Sequence, residues 1–432
     1  CHLCFSPARM PADVKNETKK WTLEKENELR IECKGKITLQ MRSGACEIFG
    51  SELVLGKKYT FENSKFAIFT WIGCELSVTG KCESAYPSDD TPMVTYINTH
   101  AALQKMRQDA KAKGNKATGP VVMIAGPKDS GKSTLARILL SYAVRCSWKP
   151  TYVDLDAGQN EITIPGCVAA CPIDQPIGID STWKNRGPLA YFYGHTSPSQ
   201  NQEIYKRLCQ KLAESVEKRC HRNASARHSG VIINTCGWID GAGQELLHEI
   251  AKAFKVQVIL VLGQERLVAD LKASEELKTL GTTVVKLNRS GGVVSRAPKL
   301  RTAIRSEKIR QYFYGRVKEL SPHEKVINFS DVIVYRVGGG ARAPTTALPV
   351  GAKPLLDPNR CVKVGITSQL LHSVLAVSYA KKPDELLQQN IAGLVFVKDL
   401  DMKKQKMRIL APSAGNLPHR FLLFGSLKWF DE

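Results

Sequence analysis

The sequence lacks the features that would place the protein in a membrane, in a secretory compartment or around a structural metal. No apolar run approaches the roughly 20 residues that a membrane-spanning helix needs. Residues 1–16 have neither the apolar core nor the small-residue cleavage site of a signal peptide. Cys1 and Cys4 form a CxxC pair, but no second pair or His cluster at zinc spacing accompanies them. We therefore expect an intracellular protein whose cysteines are reduced and structural.

Acidic residues are also scarce relative to basic ones. The chain has 62 Lys and Arg residues against 41 Asp and Glu residues, which gives a formal net charge of +21. A charge of this size and sign indicates a polyanionic partner, and nucleic acid before a membrane surface. The alternative is that the basic surface only aids solubility. The length of 432 residues favours two or three domains.

Three compositional zones follow one another along the chain. Residues 1–98 contain short alternating strands separated by turn residues, which predicts an antiparallel β-sandwich. Residues 99–322 open with a basic helix and then alternate apolar strands with helices, which predicts a parallel sheet covered on both faces. Residues 323–432 return to β-type runs and form a third, smaller zone.

A phosphate-binding loop is the strongest local signal. Residues 126–133 match GxxxxGK[ST] and stand between an apolar strand and a helix, which is the context that the motif requires. Gly126 and Gly131 allow the backbone to approach phosphate oxygens closely. Lys132 would place its charge on the β- and γ-phosphates of ATP, and the Ser133 hydroxyl would bind Mg²⁺. The other predicted ATP contacts in this segment are Asp129, Ser130 and Thr134.

Two carboxylates end the next apolar strand, which we predict at 151–155. Asp154 and Asp156 point to the same face of that strand, at the carboxyl end where open α/β sheets bind ligands. One carboxylate can hold Mg²⁺, and one can accept the proton of an attacking hydroxyl. The alternative is that an aspartate only caps the following turn. We assign the catalytic and Mg²⁺-binding roles to Asp156 and rank Asp154 second.

The order of motifs along the whole chain resembles a known family. The motifs GPxDxGKST, DLDxGQ, GHTSP, INTCGW, QERL and SGGVVxR follow one another as in the polyribonucleotide 5′-hydroxyl kinases of the pre-mRNA cleavage and polyadenylation machinery. The resemblance implies an α/β protein in which a central P-loop NTPase parallel-sheet domain (99–322) is flanked by an N-terminal β-sandwich (1–98) and a small C-terminal mixed α/β domain (323–432).

The same resemblance implies an activity and partners. Family members transfer the γ-phosphate of ATP to the 5′-hydroxyl end of single-stranded or duplex RNA. They are nuclear proteins that act in mRNA 3′-end formation with a cleavage-factor partner, and animal members also act in tRNA splicing with the tRNA endonuclease complex. Some members are ATP-bound scaffolds without kinase activity, and that alternative stays open here. A P-loop ATPase or GTPase is a further alternative, although no guanine-reading Asn-Lys-x-Asp element follows the strand predicted at 256–262.

Substrate residues rest mainly on the resemblance. Thr196 in GHTSP would clamp the phosphoryl group or the RNA end, whereas a Thr-Ser-Pro sequence by itself predicts only a helix cap. Trp238 follows a strand and could stack on an unpaired base or pack as a core aromatic. Glu28 and Lys65 match family positions that contact the nucleoside of ATP, and nothing else in the sequence points to them.

Residues 286–318 form a strongly basic segment that resembles the mobile lid of small P-loop kinases. A glycine pair starts it, and a helix is predicted from residue 298 to residue 314. We assign Arg289 and Arg296 to the transferring phosphoryl group and Arg301 to RNA. The remaining basic residues of the segment are expected to form a solvated face that attracts RNA without specificity.

Overall fold

The computed structural model describes residues 17–114, 117–175, 177–179, 187–339 and 360–430. The chain divides into two compact units, Cys1–Thr91 and Pro92–Glu432. The pair Cys1 and Cys4 lies outside the described residues. Within the described ranges, no helix is long and apolar enough to cross a membrane.

The first unit is the predicted β-sandwich. Its strands form a four-stranded sheet in the order β1-β8-β3-β6 and a five-stranded sheet in the order β5-β4-β7-β2-β9. Side chains alternate along β3, so that Ile37, Leu39 and Met41 are buried between the sheets. The strands are β1 (Thr18–Leu23), β2 (Glu28–Glu32), β3 (Lys36–Gly44), β4 (Glu47–Ile48), β5 (Ser51–Glu52), β6 (Lys58–Glu62), β7 (Lys65–Phe69), β8 (Cys74–Thr79) and β9 (Ser84–Ser88).

The second unit begins with the helix α1 (Met93–Ala112), which starts earlier than the basic helix predicted at residue 99. Pro92 stands at its N-cap position, where a missing N–H is tolerated. Met93, Tyr96 and Leu103 are buried at helical spacing, and this packed face holds the first turns in the helix. The prediction followed the basic residues and missed this apolar start.

A seven-stranded sheet forms the centre of the second unit, in the order β13-β12-β11-β14-β10-β15-β16. The alternation of apolar strands and helices correctly predicts five of these strands, β10, β11, β14, β15 and β16, which pair with one another in parallel. The pairs β11–β12 and β12–β13 are antiparallel, which the prediction of a parallel sheet did not include. The strands are β10 (Val121–Ala125), β11 (Thr151–Asp154), β12 (Cys167–Pro172), β13 (Leu189–Phe192), β14 (Val231–Asn234), β15 (Val258–Leu262) and β16 (Thr283–Leu287).

Helices follow β10, β14, β15 and β16, as the sequence predicts, whereas β11 leads into β12. Because β10, β11 and β14 run in the same direction, their carboxyl ends meet at one edge of the sheet. The helices are α2 (Lys132–Arg145), α3 (Gln202–Arg222), α4 (Ala224–Ser229), α5 (Ala242–Phe254), α6 (Glu265–Ala273), α7 (Glu275–Thr279) and α8 (Pro298–Tyr314).

A second seven-stranded sheet completes the unit, in the order β17-β22-β21-β20-β23-β18-β19. Its pairs are antiparallel except β18–β23, which is parallel. Val334, Leu375, Val395, Ile409 and Leu422 belong to its apolar core. The strands are β17 (His323–Asn328), β18 (Ile333–Val337), β19 (Cys361–Val364), β20 (Val374–Ser378), β21 (Ile391–Asp401), β22 (Lys406–Ala411) and β23 (Phe421–Phe424).

Candidate active site

The phosphate loop connects β10 to α2 and has the backbone that the motif predicts. Gly131 has a φ of +92° and stands directly before the first residue of α2, so the free N–H groups of the first helical turn face the loop. Gly126 has a φ of +148°, and a Cβ there would lie 3.0 Å from both Leu262 O and Ser130 Oγ. The loop is therefore a concave set of N–H donors that fits phosphate oxygens.

Lys132 lies inside this loop. Its ammonium donates hydrogen bonds to Gly126 O at 2.9 Å and Pro127 O at 2.7 Å, and the residue is 7% exposed. Burial lowers the pKa of Lys132, while the negative charges of Asp156 and Asp129 act in the opposite direction. A buried ammonium with carboxylates nearby fits a group that balances phosphate charge.

Asp156 caps the turn that follows it, which is the alternative role that the sequence offered for an aspartate here. One oxygen of its carboxylate nevertheless remains available to a ligand. Its Oδ1 accepts hydrogen bonds from Gly158 N at 2.8 Å and Gln159 N at 3.1 Å. These are the hydrogen bonds of its carboxylate within the described part of the chain, and they leave Oδ2 open to a ligand. The turn thus fixes the orientation of the carboxylate.

Asp154 is fully buried and is held by three donors. Asp156 N and the Asn234 side chain each donate to Oδ1 at 3.1 Å, and Glu161 N donates to Oδ2 at 2.7 Å. Burial, followed by the charges of Asp156 and Glu161, raises the pKa of Asp154 well above its usual range. The two aspartates therefore have different surroundings, and only Asp156 is placed to meet a substrate.

Asn234 links Asp154 to the phosphate loop, and sequence reasoning missed it. Its Nδ2 donates to Asp154 and lies 3.3 Å from Ser133 Oγ. The residue is 1% exposed, and its Oδ1 has no hydrogen-bond partner among the described residues. The available signal was its position as the last residue of the apolar strand β14. Ser133, Asp154 and Asn234 thus form an oxygen-rich corner beside the loop.

This corner and Asp156 fit a Mg²⁺ ion. In the described ranges no group of three or more His, Cys, Asp and Glu side chains forms a cage for a metal. Mg²⁺ in phosphoryl-transfer sites uses only one or two protein ligands, with phosphate and water completing its shell. Ser133 with a neighbouring carboxylate meets that requirement.

The lid meets the phosphate loop at Asp129. Asp129 Oδ2 accepts hydrogen bonds from Arg301 NH2 at 2.5 Å and from Arg296 N at 2.8 Å. The Arg296 guanidinium donates to Gln159 Oε1 at 3.2 Å, in the turn that follows Asp156. The predicted residues Arg296 and Arg301 therefore lie at the site, and Asp129 contacts the lid.

The other lid arginines to consider are Arg305 and Arg289. Arg305 lies one helical turn beyond Arg301, and its pKa is lowered by burial and by Arg301 and raised by the charge of Asp156. Arg305 is half-buried, which corrects its assignment to the solvated face. Arg289 donates to Val293 O at 2.9 Å within its own loop. Its contact with the phosphoryl group stays a prediction.

Thr196 lies beside the turn that holds Asp156. A Cβ on Gly158 would lie 2.9 Å from Thr196 O, so the glycine permits this approach. The capping roles fall on the next residues: Ser197 caps a 3₁₀ turn, and Asn201 Oδ1 accepts from Ile204 N at the start of α3. Thr196 is thus free of the cap that the local sequence suggested, and its clamping role stays a prediction.

Trp238 follows β14 and is half-buried next to the phosphate loop. Gly237 precedes it, and a Cβ there would lie 2.5 Å from Lys128 N. A Cβ on Gly243 would lie 2.7 Å from Trp238 Cγ, so the ring packs closely on the start of α5. The position fits a stacking platform, and contact with a base stays a prediction.

Glu28 and Lys65 belong to the first unit. Glu28 is buried and accepts from Arg30 Nε at 2.6 Å and from Thr91 Oγ1 at 2.7 Å. Lys65 forms an ion pair with Glu32. These contacts are structural, and the nucleoside contact of the two residues stays a prediction.

Comparison with known proteins assigns the family. Models described as "mRNA cleavage and polyadenylation factor CLP1 P-loop", "N-terminal beta-sandwich domain of polyadenylation factor" and "Pre-mRNA cleavage complex II protein Clp1" match residues 126–315, 22–110 and 320–431. The chain belongs to the Clp1 family. This confirms the resemblance seen in the sequence.

Clp1 relatives match this chain over nearly its full length. The "Protein CLP1 homolog" of Arabidopsis thaliana is 46% identical over 95% of this chain and 94% of its own. The "Polyribonucleotide 5′-hydroxyl-kinase Clp1" of Homo sapiens is 41% identical over 97% of this chain and 98% of its own. Among solved structures, Clp1p in the wild-type Clp1p–Pcf11p complex has a TM-score of 0.84 and 26% identity, over 96% of this chain and 99% of that one. The predicted α/β fold is confirmed.

Proposed function

We propose that this protein is a polyribonucleotide 5′-hydroxyl kinase that transfers the γ-phosphate of ATP to RNA. The observation that carries the proposal is the convergence of three groups on the phosphate loop. Lys132 lies inside the loop, and Arg301 pairs with Asp129 of the loop. Asp156 is joined to Ser133 of the loop through hydrogen bonds of Asp154 and Asn234, so a proton acceptor and two cations surround the place of a γ-phosphate. A carboxylate in this position can accept the proton of an attacking hydroxyl, as a kinase requires.

The reaction is an in-line displacement. The 5′-oxygen of RNA forms a bond to the γ-phosphorus, the bond from that phosphorus to the β–γ bridging oxygen breaks, and ADP leaves. Asp156 Oδ2 accepts the proton of the 5′-hydroxyl. Lys132, Arg301 and Arg305 balance the negative charge that spreads over the phosphoryl oxygens. Ser133 and Asp156 would hold a Mg²⁺ ion, which would supply further neutralisation of the phosphate charge.

The RNA end is held by residues that surround this centre. Trp238 stacks on the terminal base, Thr196 contacts the end of the strand, and Arg289 and Arg296 approach the phosphoryl group. The formal charge of +21 attracts the RNA backbone without regard to sequence. RNA affinity should therefore fall steeply as salt rises. Glu28 and Lys65 would contact the nucleoside of ATP.

Membership of the Clp1 family supports a proposal for the cellular setting. We place the protein in the nucleus, in mRNA 3′-end processing with a cleavage-factor partner and in tRNA splicing with the tRNA endonuclease. The solved complex of a similar chain with Pcf11p supports a partner of that kind. We also retain the division into domains 1–98, 99–322 and 323–432, with the last two inside the second compact unit.

The test is transfer of label from γ-labelled ATP to a short RNA with a 5′-hydroxyl. Lys132→Ala and Asp156→Asn should abolish labelling, whereas the matched control Asp384→Asn changes an exposed carboxylate far along the chain and should leave it intact. Chelation of divalent cations should stop transfer, and added Mg²⁺ should restore it.

Two outcomes would replace the proposal. ATP that binds but never labels RNA or DNA indicates a scaffold, and Lys132→Ala should then lose the protein partner instead of an activity. Phosphate release that does not depend on RNA indicates an ATPase.

A further inference from the structure

The segment 425–429, which follows β23, contacts two parts of the active site that are far apart in the sequence. We name this segment the C-terminal strap. One end of the strap contacts the loop that carries Thr196, and the other end contacts the lid helix α8. Neither contact is used in the mechanism above.

The first contact fixes the loop before Thr196. Ser426 N donates to Gly194 O at 2.8 Å, and Ser426 Oγ lies 2.8 Å from His195 Nδ1. The backbones touch at two glycines: a Cβ on Gly425 would lie 2.2 Å from Gly194 O. Burial lowers the pKa of His195, so its neutral ring can share one hydrogen bond with the serine hydroxyl.

The second contact fixes the lid helix directly after Arg305. Trp429 Nε1 donates to Ser306 Oγ at 3.1 Å. The Trp429 ring stacks on Phe313 of the same helix, with 5.7 Å between ring centroids and 14° between planes. Trp429 is 2% exposed, so the ring is a fixed part of the core. The second half of α8 is thereby anchored to the C-terminal strap.

With these two contacts, the segments that carry the site residues are connected in one continuous series of contacts. Arg301 joins the lid to the phosphate loop through Asp129, and Thr196 O lies against Gly158 in the turn of Asp156. The strap closes the remaining gap between the Thr196 loop and α8. In each case the strap bonds to the residue next to a site residue: His195 next to Thr196, and Ser306 next to Arg305.

We propose that Ser426 and Trp429 are positioning residues for phosphoryl transfer, which the strap serves by holding the Thr196 loop and the lid helix in one geometry. This inference rests on the proposed kinase function. If the strap only filled the apolar core, packing of the Trp429 ring would be sufficient. The two polar contacts add direction, because a hydrogen bond fixes the angle and distance of the turn that it reaches.

The lid arm of the test uses Trp429→Phe, which keeps an aromatic ring against Phe313 and loses the Nε1 donor. Ser306→Ala removes the acceptor of the same hydrogen bond. Each variant should lower kcat for RNA phosphorylation about 5-fold, and the double variant should be no slower than either single one. The KM for ATP should not change.

The loop arm uses Ser426→Ala, which should raise the KM for RNA about 5-fold with little change in kcat. Ser426→Thr keeps the hydroxyl and should restore most of the wild-type value. Asn328→Ala removes a cap at an exposed turn of the same sheet and serves as the stability control. It should lower the melting temperature without changing kcat or KM.

Hydrogen exchange provides a readout that does not need activity. Trp429→Phe should speed exchange in residues 302–306, and Ser426→Ala should speed it in residues 194–197. A chain with no kinase activity but with these local changes refutes the proposed function and keeps the strap. Unchanged exchange, or kinetic effects of Trp429→Phe and Ser306→Ala that multiply independently, would overturn the strap proposal itself.

Discussion

The Arg301 guanidinium lies 2.5 Å from the Asp129 carboxylate, which joins the lid helix to the phosphate loop. Asp129 has a φ of +54°, a left-handed backbone conformation that aspartate tolerates better than most residues. The same Oδ2 accepts the backbone N–H of Arg296. One carboxylate in the phosphate loop therefore positions both the start of α8 and its first inward-facing arginine.

Asp129→Asn should weaken this connection without removing the loop. The pair is partly buried, so we expect about 1 kcal/mol of coupling, or roughly a 5- to 10-fold loss in kcat. Steady-state kinetics of Asp129→Asn, Arg301→Ala and the double variant would measure the coupling. Arg301→Ala should lose more activity than Asp129→Asn because we also propose that the arginine balances the phosphoryl charge. Fully additive losses would show that the two residues act separately.

Arg305→Ala should be among the most damaging lid variants. Arg305 is half-buried one helical turn beyond Arg301, and we propose that it balances the phosphoryl charge, so its loss should lower kcat roughly 100-fold, as when one donor to a developing negative charge is removed. Arg310→Ala is the matched control, because Arg310 lies on the same helix and pairs with Glu307 at 2.6 Å. Equal effects of the two variants in the labelling assay would contradict the geometry.

Asp154 and Asp156 should separate stability from catalysis. Asp154→Ala leaves the buried N–H groups of Glu161, Asp156 and Asn234 without their acceptor, and should lower the free energy of unfolding by about 3 kcal/mol. Asp156→Asn should abolish transfer and leave the urea midpoint within the change seen for Asp384→Asn. An Asp154→Ala chain as stable as wild type would refute the structural role.

His100 should make stability depend on pH. The ring packs on Tyr142, and burial, then Arg107 and Arg145, lowers the pKa of His100 to about 4. Well above pH 6.5 the His100 ring is neutral in both the folded and the unfolded chain. Between pH 6.5 and 4 the unfolded chain binds the proton first, so stability falls as pH falls, by at most about 3 kcal/mol. In melting curves across this range, His100→Gln should lose the corresponding part of the slope, and an unchanged slope would contradict the assignment.

The phosphate loop and the lid helix were predictable because their signals are local. Glycine at fixed offsets, a preceding apolar strand and a following helix are all contained in one short window. The helix predicted from residue 298 to 314 has Pro298 in its first turn and Gly315, with a φ of +79°, at its end. The antiparallel pairing of β12 and β13 was not predicted, because the residues of a short apolar strand do not indicate whether it runs parallel or antiparallel to its neighbour.

The sequence by itself determined the family, the α/β order of elements, the phosphate loop and the basic charge of the lid, because each depends on residue types at fixed spacing. The tertiary structure decided which basic residues face the reaction. Burial of Ile309 and Phe313 sets the rotation of α8, and that rotation turns Arg301 toward Asp129. Asn234 and Ser426 likewise reach the site only through pairing of distant strands and segments, which no local pattern encodes.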